Sequence, residues 1–130
     1  MKLLDTDICI HLLNERERDL IDRLRSYQPL ELGIPSIVLA ELLWGARKSR
    51  RVAENLARVR AFAEPLQVFP LDEASAEDCG LIRASLESWG QPIGPNDTLI
   101  AAVARARGAV LVTRNIRAFS RVPGLEVEQW

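Results

Sequence analysis

Short apolar runs alternate with helical apolar stripes along this chain. Lys2 to Asp5 holds Leu3-Leu4 and predicts a short buried strand. Ile8, Leu12 and Leu13 then recur at helical spacing and predict a helix over Thr6–Asn14, and Leu20, Ile21 and Leu24 predict a second over Glu15–Arg25. Leu30 to Ile34 reads as a strand closed by Pro35. Ser36 is a suitable N-cap for a helix running to about Lys48, and Val52, Leu56, Val59 and Phe62 line one side of a further helix over Arg50–Glu64. A strand over Leu66–Phe69 precedes Pro70; Asp72 or Ser75 then caps a helix that reaches Trp89 and is stopped by Gly90. After a Pro92–Pro95 loop, Asn96 is expected to cap a helix ending near Arg107 and Gly108. Ala109–Thr113 is a strongly apolar strand, Ile116–Phe119 a helical turn, and Leu125–Glu128 a last strand.

Strands alternating with helices predict an α/β fold with a mostly parallel central sheet flanked by helices. The run Val110-Leu111-Val112 fits a strand covered on both faces. With no repeat, low-complexity tract or linker, residues 1–130 read as one domain.

Composition narrows the function classes. The chain is 48% hydrophobic and 27% charged, which suits a globular core. A formal net charge of −1 argues against coating nucleic acid by bulk charge. Positive residues do cluster at Arg47-Lys48-Ser49-Arg50-Arg51, at Arg58 and Arg60, and between Arg105 and Arg121, either as solvated helix faces or as a local basic rim. No apolar run is long enough to span a membrane. Asp5 and Asp7 follow too soon after Lys2 for a secretory leader, so a cytoplasmic location is expected. Cys9 and Cys79 read as small buried hydrophobes, and Trp44, Trp89 and Trp130 as core residues rather than base-stacking platforms.

Three carboxylates stand in otherwise apolar segments. Asp5 ends Leu3-Leu4, Glu41 interrupts Ile37-Val38-Leu39-Ala40 and Leu42-Leu43-Trp44, and Asp97 opens Thr98-Leu99-Ile100-Ala101-Ala102-Val103. Burying a carboxylate is expensive unless it is paired or binds a metal. Asp5 can also cap the helix that follows it, and Asp97 suits the first turn of its helix, where the dipole favours an acid. Glu41 has no such account: its helical neighbours are Ile37, Val38, Trp44 and Gly45, so it lies on an apolar face, as a metal ligand or as a rim acid paired with an arginine. Active sites of open α/β sheets gather at the carboxyl ends of the strands, where Asp5, Thr113 and Asn115 fall. His11 is the only histidine, which disfavours a histidine base or a His-rich zinc site. An all-oxygen set suits Mg²⁺ or Mn²⁺.

The chain resembles the PIN-domain ribonucleases and, within them, the VapC toxins of bacterial toxin–antitoxin pairs. The resemblance runs through Leu4-Asp5-Thr6-Asp7-Ile8, Glu41-Leu42-Leu43-Trp44-Gly45 and Gly94-Pro95-Asn96-Asp97-Thr98-Leu99-Ile100-Ala101-Ala102. It continues in Val112-Thr113-Arg114-Asn115-Ile116-Arg117-Ala118-Phe119 and Val122-Pro123-Gly124-Leu125. It implies a PIN-like three-layer fold in which Asp5, Glu41 and Asp97 are the catalytic and metal-site acids, supported by Thr6 and Thr113. Asp7 reads as a first-turn helix acid rather than a direct ligand, or as a support that holds a metal-bound water. Many PIN domains carry a fourth acid where this chain has Asn115, though some VapC toxins share the asparagine. The implied reaction is metal-dependent hydrolysis of RNA phosphodiesters by in-line attack of water, with Mg²⁺ or Mn²⁺ as cofactor. Arg114 and Arg117, beside Asn115, are expected to hold substrate phosphates. A small VapB-like antitoxin partner and a homodimer are also implied, with contacts expected on the helices between Glu15 and Arg60.

Two other readings use the same residues. Asp5-Thr6-Asp7 after an apolar strand also resembles the start of a haloacid-dehalogenase-like phosphatase, but Lys2 and Lys48, the only lysines, are poorly placed for its phosphate. A PIN-like fold with a degraded site, as Asn115 allows, would serve as a protein-binding module.

Overall fold

The computed structural model describes residues 1–130. Five strands form a single parallel sheet: β1 (Lys2–Leu4), β2 (Leu32–Pro35), β3 (Gln67–Phe69), β4 (Val110–Val112) and β5 (Glu126–Glu128), in the order β3-β2-β1-β4-β5. Helices connect and flank them: α1 (Thr6–Leu13), α2 (Arg18–Arg25), α3 (Ser36–Arg47), α4 (Val52–Ala63), α5 (Glu73–Ser88), α6 (Pro95–Ala106) and the single turn α7 (Ile116–Phe119). The expected α/β class and parallel sheet are both present. No helix is long and apolar enough to cross a membrane.

The core forms where the sheet meets its helices. Leu3, Leu4, Ile34, Leu111 and Val112 from the strands are fully enclosed, together with Ile8, Val38, Ile82, Ile100 and Phe119 from the helices. Ala101 and Ala102 are buried on α6, and α6 lies against α3, α5, β2 and β4. Cys9 is buried, as its apolar neighbours predict, and burial pushes its thiol well above the usual range.

Boundaries differ from expectation where proline and backbone geometry decide them. Asn96 does not cap α6: Pro95 takes the first helical position and Gly94 the cap, because a proline lacks an N–H that would be unpaired there anyway. Asp97 consequently falls in the third position. Ser36 likewise sits inside α3, with Pro35 as its cap. The second helix begins at Arg18 rather than Glu15, because Glu15 adopts φ +53 and breaks the chain direction after α1. Leu30 belongs to a 3-10 turn over Pro29–Glu31, so β2 starts at Leu32.

The tryptophan expectation needs correction. Trp44 and Trp89 are 64% and 57% exposed, and Trp130 packs at the rim of the core, stacked on Tyr27 at 5.4 Å between ring centroids. Trp44 and Trp89 are therefore surface residues, and only Trp130 of the three packs against the core.

Candidate active site

Register brings the first two site residues together. Leu4 pairs with Val112 in the parallel β1–β4 ladder, so their successors, Asp5 and Thr113, leave the sheet side by side. The chain runs from β1 toward β2 on one side and reaches β4 on the other, so the gap between β1 and β4 is where the strand order reverses. That is the usual place for a site in such a sheet.

Asp5 is 4% exposed and does two jobs. Its Oδ1 accepts the Thr6 backbone N–H at 2.8 Å, capping α1, and its Oδ2 accepts the Thr113 hydroxyl at 2.7 Å. Thr113 Oγ1 in turn accepts the Asn115 backbone N–H at 3.0 Å. The Thr6 hydroxyl donates to Glu41 Oε1 at 3.1 Å, joining α1 to α3. Both threonines therefore orient a carboxylate, as hydroxyls with one proton and fixed backbones can.

Electrostatics place the other acids around them. Burial raises the Asp97 carboxyl to about 6, helped by the charges of Asp5, Glu41 and Asp7. Burial also raises Glu41, against the Thr6 hydrogen bond and with the charges of Asp5 and Asp7. Asp5 is raised by burial, opposed by its bonds to Thr113 and Thr6, with Asp7 adding repulsion. None of the four acids forms an ion pair with any lysine, arginine or histidine. The arginine partner that would make Glu41 a structural rim acid is therefore absent.

Beside Glu41 lies a groove of about 300 Å³ between α1, α3 and α4. Ile10, Leu13, Leu42 and Val59 line it, with Asn55 and Arg58 among its polar groups. Arg58 also donates to the Leu13 carbonyl. The sequence marks Arg58 only as part of a positive cluster with Arg60; its place on a helix facing α1 depends on tertiary packing.

The two arginines expected at the phosphates part company. Arg114 is committed to Glu17, whose carboxylate accepts from both terminal nitrogens at 3.0 and 2.8 Å, and its Nε donates to the Trp130 carbonyl at 3.1 Å. Arg117 is exposed on α7, and Asn115, two residues before it, is exposed as the residue that caps α7. His11 pairs with Glu17 at 3.0 Å and takes no place among the acids.

The PIN domain family profile matches residues 2–125. The chain belongs to the PIN-domain family. Its curated relatives within that family are VapC ribonucleases. It is 41% identical to the tRNA(fMet)-specific endonuclease VapC of Shigella flexneri over 98% of this chain and 96% of that protein. It is 36% identical to ribonuclease VapC2 of Rickettsia felis over the same shares. The DNA-bound VapBC complex of Salmonella typhimurium superposes with a TM-score of 0.94 at 40% identity, covering 99% of this chain and 97% of that one. VapBC2 of Rickettsia felis, bound to a promoter DNA fragment, gives 0.92 at 35% identity, covering 99% and 98%. The PIN fold leaves no room for the dehalogenase reading. Lys2 pairs with Glu128, and Lys48 lies over Trp44.

PIN-domain nucleases are divalent-metal dependent as a class, and the residues here fit such an ion. Several carboxylates raise one another's proton affinity with no cationic side chain to offset them. That donor set is all oxygen, the preference of hard cations. The side chains are not drawn into a closed cluster of three or more ligands. Asp5 and Glu41 turn oxygens toward hydroxyl and amide donors instead.

Proposed function

We propose that Asp5, Glu41 and Asp97 form the catalytic acidic site of this VapC-type ribonuclease. The observation that carries this reading is a set of mutually repelling, partly buried carboxylates with no basic partner, at the sheet's reversal point. Asp5 and Asp97 would hold Mg²⁺ or Mn²⁺, with Glu41 completing the set, and the bound ion would supply charge against the phosphate oxygens and acidify water. Thr113 fixes Asp5, Thr6 fixes Glu41, and Asp7 adds negative charge at the open side. Asn115 is a neutral fourth corner, which weakens any second cation relative to an acid. Arg117, exposed beside it, offers a donor to the RNA backbone.

The relatives named as tRNA(fMet)-specific make tRNA(fMet) the first substrate to test. The VapBC complexes support a VapB-like antitoxin as partner. The apolar groove beside Glu41 suits an antitoxin segment that covers the acids, and a homodimer belongs to the same reading.

Cleavage of tRNA(fMet), with and without EDTA, tests the site. Asp5→Asn and Asp97→Asn should each lose about 100-fold or more in rate while their far-UV spectra stay native. If both variants cut like the parent, the acids are not the site. Metal-independent silence of the parent itself, with antitoxin binding intact, would favour the degraded protein-binding module that Asn115 keeps open.

A further inference from the structure

Trp44 stands on α3 three residues beyond Glu41, so the two side chains project from adjacent positions on one helix. Its indole is 64% exposed. Lys48, another turn along, holds its ammonium 3.7 Å from the indole centroid. A cation at that distance is attracted to the negative ring face and fixes the ring's orientation. The indole is thus under a charge on one face, and most of the side chain is open to water.

A single exposed apolar residue needs no special account. Trp44 differs in where it stands and what surrounds it. None of the four acids at the neighbouring site has a cationic side-chain partner, so cationic side chains for the RNA backbone lie outside that pocket. The nearest dense positive charge along α3 is Arg47-Lys48-Ser49-Arg50-Arg51, at the helix's end and just beyond it. An oriented indole between a basic run and an acidic site has the two parts of a single-strand binder: an aromatic platform and a charge for the backbone. Trp89 serves as contrast, because it is similarly exposed but has no cation over its ring.

We propose that Trp44, backed by Lys48, stacks an unpaired nucleobase of the RNA substrate and so positions the strand over the acids. This rests on the acidic-site reading above. The base takes the open indole face, and Lys48 meets the adjoining phosphate. Trp44 is a substrate-positioning residue that favours unpaired segments, since only an unstacked base can reach the ring.

The test measures affinity for a fluorescein-labelled single-stranded RNA of mixed sequence in the Asp5→Asn background, across a salt series. Trp44→Ala should weaken binding about tenfold with an unchanged salt slope, while Trp44→Phe retains most of the affinity. Lys48→Met should flatten the slope, the mark of a lost phosphate contact. Trp89→Ala should bind like the background, and all variants should keep the same Tm. The proposal fails if Trp44→Ala binds RNA as the background does, or if Trp89→Ala loses as much. It also fails if Trp44→Ala spares RNA but abolishes self-association or capture of a co-expressed antitoxin. Residual cutting by Asp5→Asn would count against the acidic site instead, a result the affinity comparison reads separately.

Discussion

Glu41 is half-buried, with one hydroxyl donor and acids for charged neighbours. Its charge therefore works against the metal-free fold. Glu41→Gln keeps the Thr6 contact and removes the repulsion, so in EDTA its Tm should equal or exceed the parent's; a drop of many degrees would reveal a hidden structural pair. Asp97 makes the same point through pH. Its carboxyl sits near 6 in the fold against 3.8 when unperturbed, so between those values the folded chain binds more protons than the unfolded one. The contribution of Asp97 to the stability of the metal-free protein must then fall as pH rises from about 4 to about 6, and stay lowered above. Asp97→Asn lacks this loss. Its advantage in urea melts with EDTA should grow from near zero at pH 4 to about 1–2 kcal/mol at pH 7 once screening is allowed for. A difference that is flat with pH would refute the assignment. Added Mg²⁺ should then stabilise the parent and spare the variant. Residue types at this site were legible because acids in apolar runs are conspicuous. Orientation was not: Trp44 was expected in the core, and nothing local reveals that its indole points outward.

Element order, direction and approximate limits were readable because 3.6-residue and continuous apolar patterns separate helices from buried strands. The errors sit at helix starts, where Pro35 and Pro95 displaced the polar caps expected at Ser36 and Asn96. That shift moves Asp97 from the first to the third position of α6, still within its first turn. A feature missed in the sequence is Gly33, inside β2. A Cβ there would stand 2.7 Å from the Gln67 carbonyl oxygen and 2.7 Å from the Phe69 ring. The neighbouring β3 backbone is paired to β2 and cannot retreat without breaking the ladder. A glycine within a strand is the available signal for such close approach. Gly33→Ala should therefore destabilise by about 1–3 kcal/mol, read as a lower urea midpoint with unchanged slope. An unaltered midpoint would mean that the β2–β3 pair tolerates separation.

Across the whole molecule, the carboxyl-terminal edge is tied to the site by contacts between segments far apart in sequence. Glu128 on β5 accepts from Lys2, from Arg23 on α2 and from the Trp130 indole. The Trp130 carbonyl accepts from Arg114, and Arg114 clasps Glu17 at the start of α2, 97 residues away. That separation is why the sequence offered Arg114 as a free phosphate donor: its partner is set by the fold, not by any neighbour. Arg114 lies between Thr113 and Asn115, so the clasp holds the segment that presents a hydroxyl to Asp5. Hydrogen bonding to Arg114 also keeps Glu17 below the usual carboxylate range, so this contribution is present above the unfolded pKa and fades as pH falls through the folded one. If the clasp is what Arg114 provides, Arg114→Ala and Glu17→Ala should each lower Tm by a few degrees and slow cleavage to a similar extent. The double variant should then be little worse than either, because both remove one interaction. If Arg114 instead served the RNA backbone, Glu17→Ala would release the guanidinium and tighten RNA binding while Arg114→Ala loosened it. Melting curves and RNA affinities for the parent, the two single variants and the double variant separate these outcomes, since only the clasp predicts that both single changes move in the same direction.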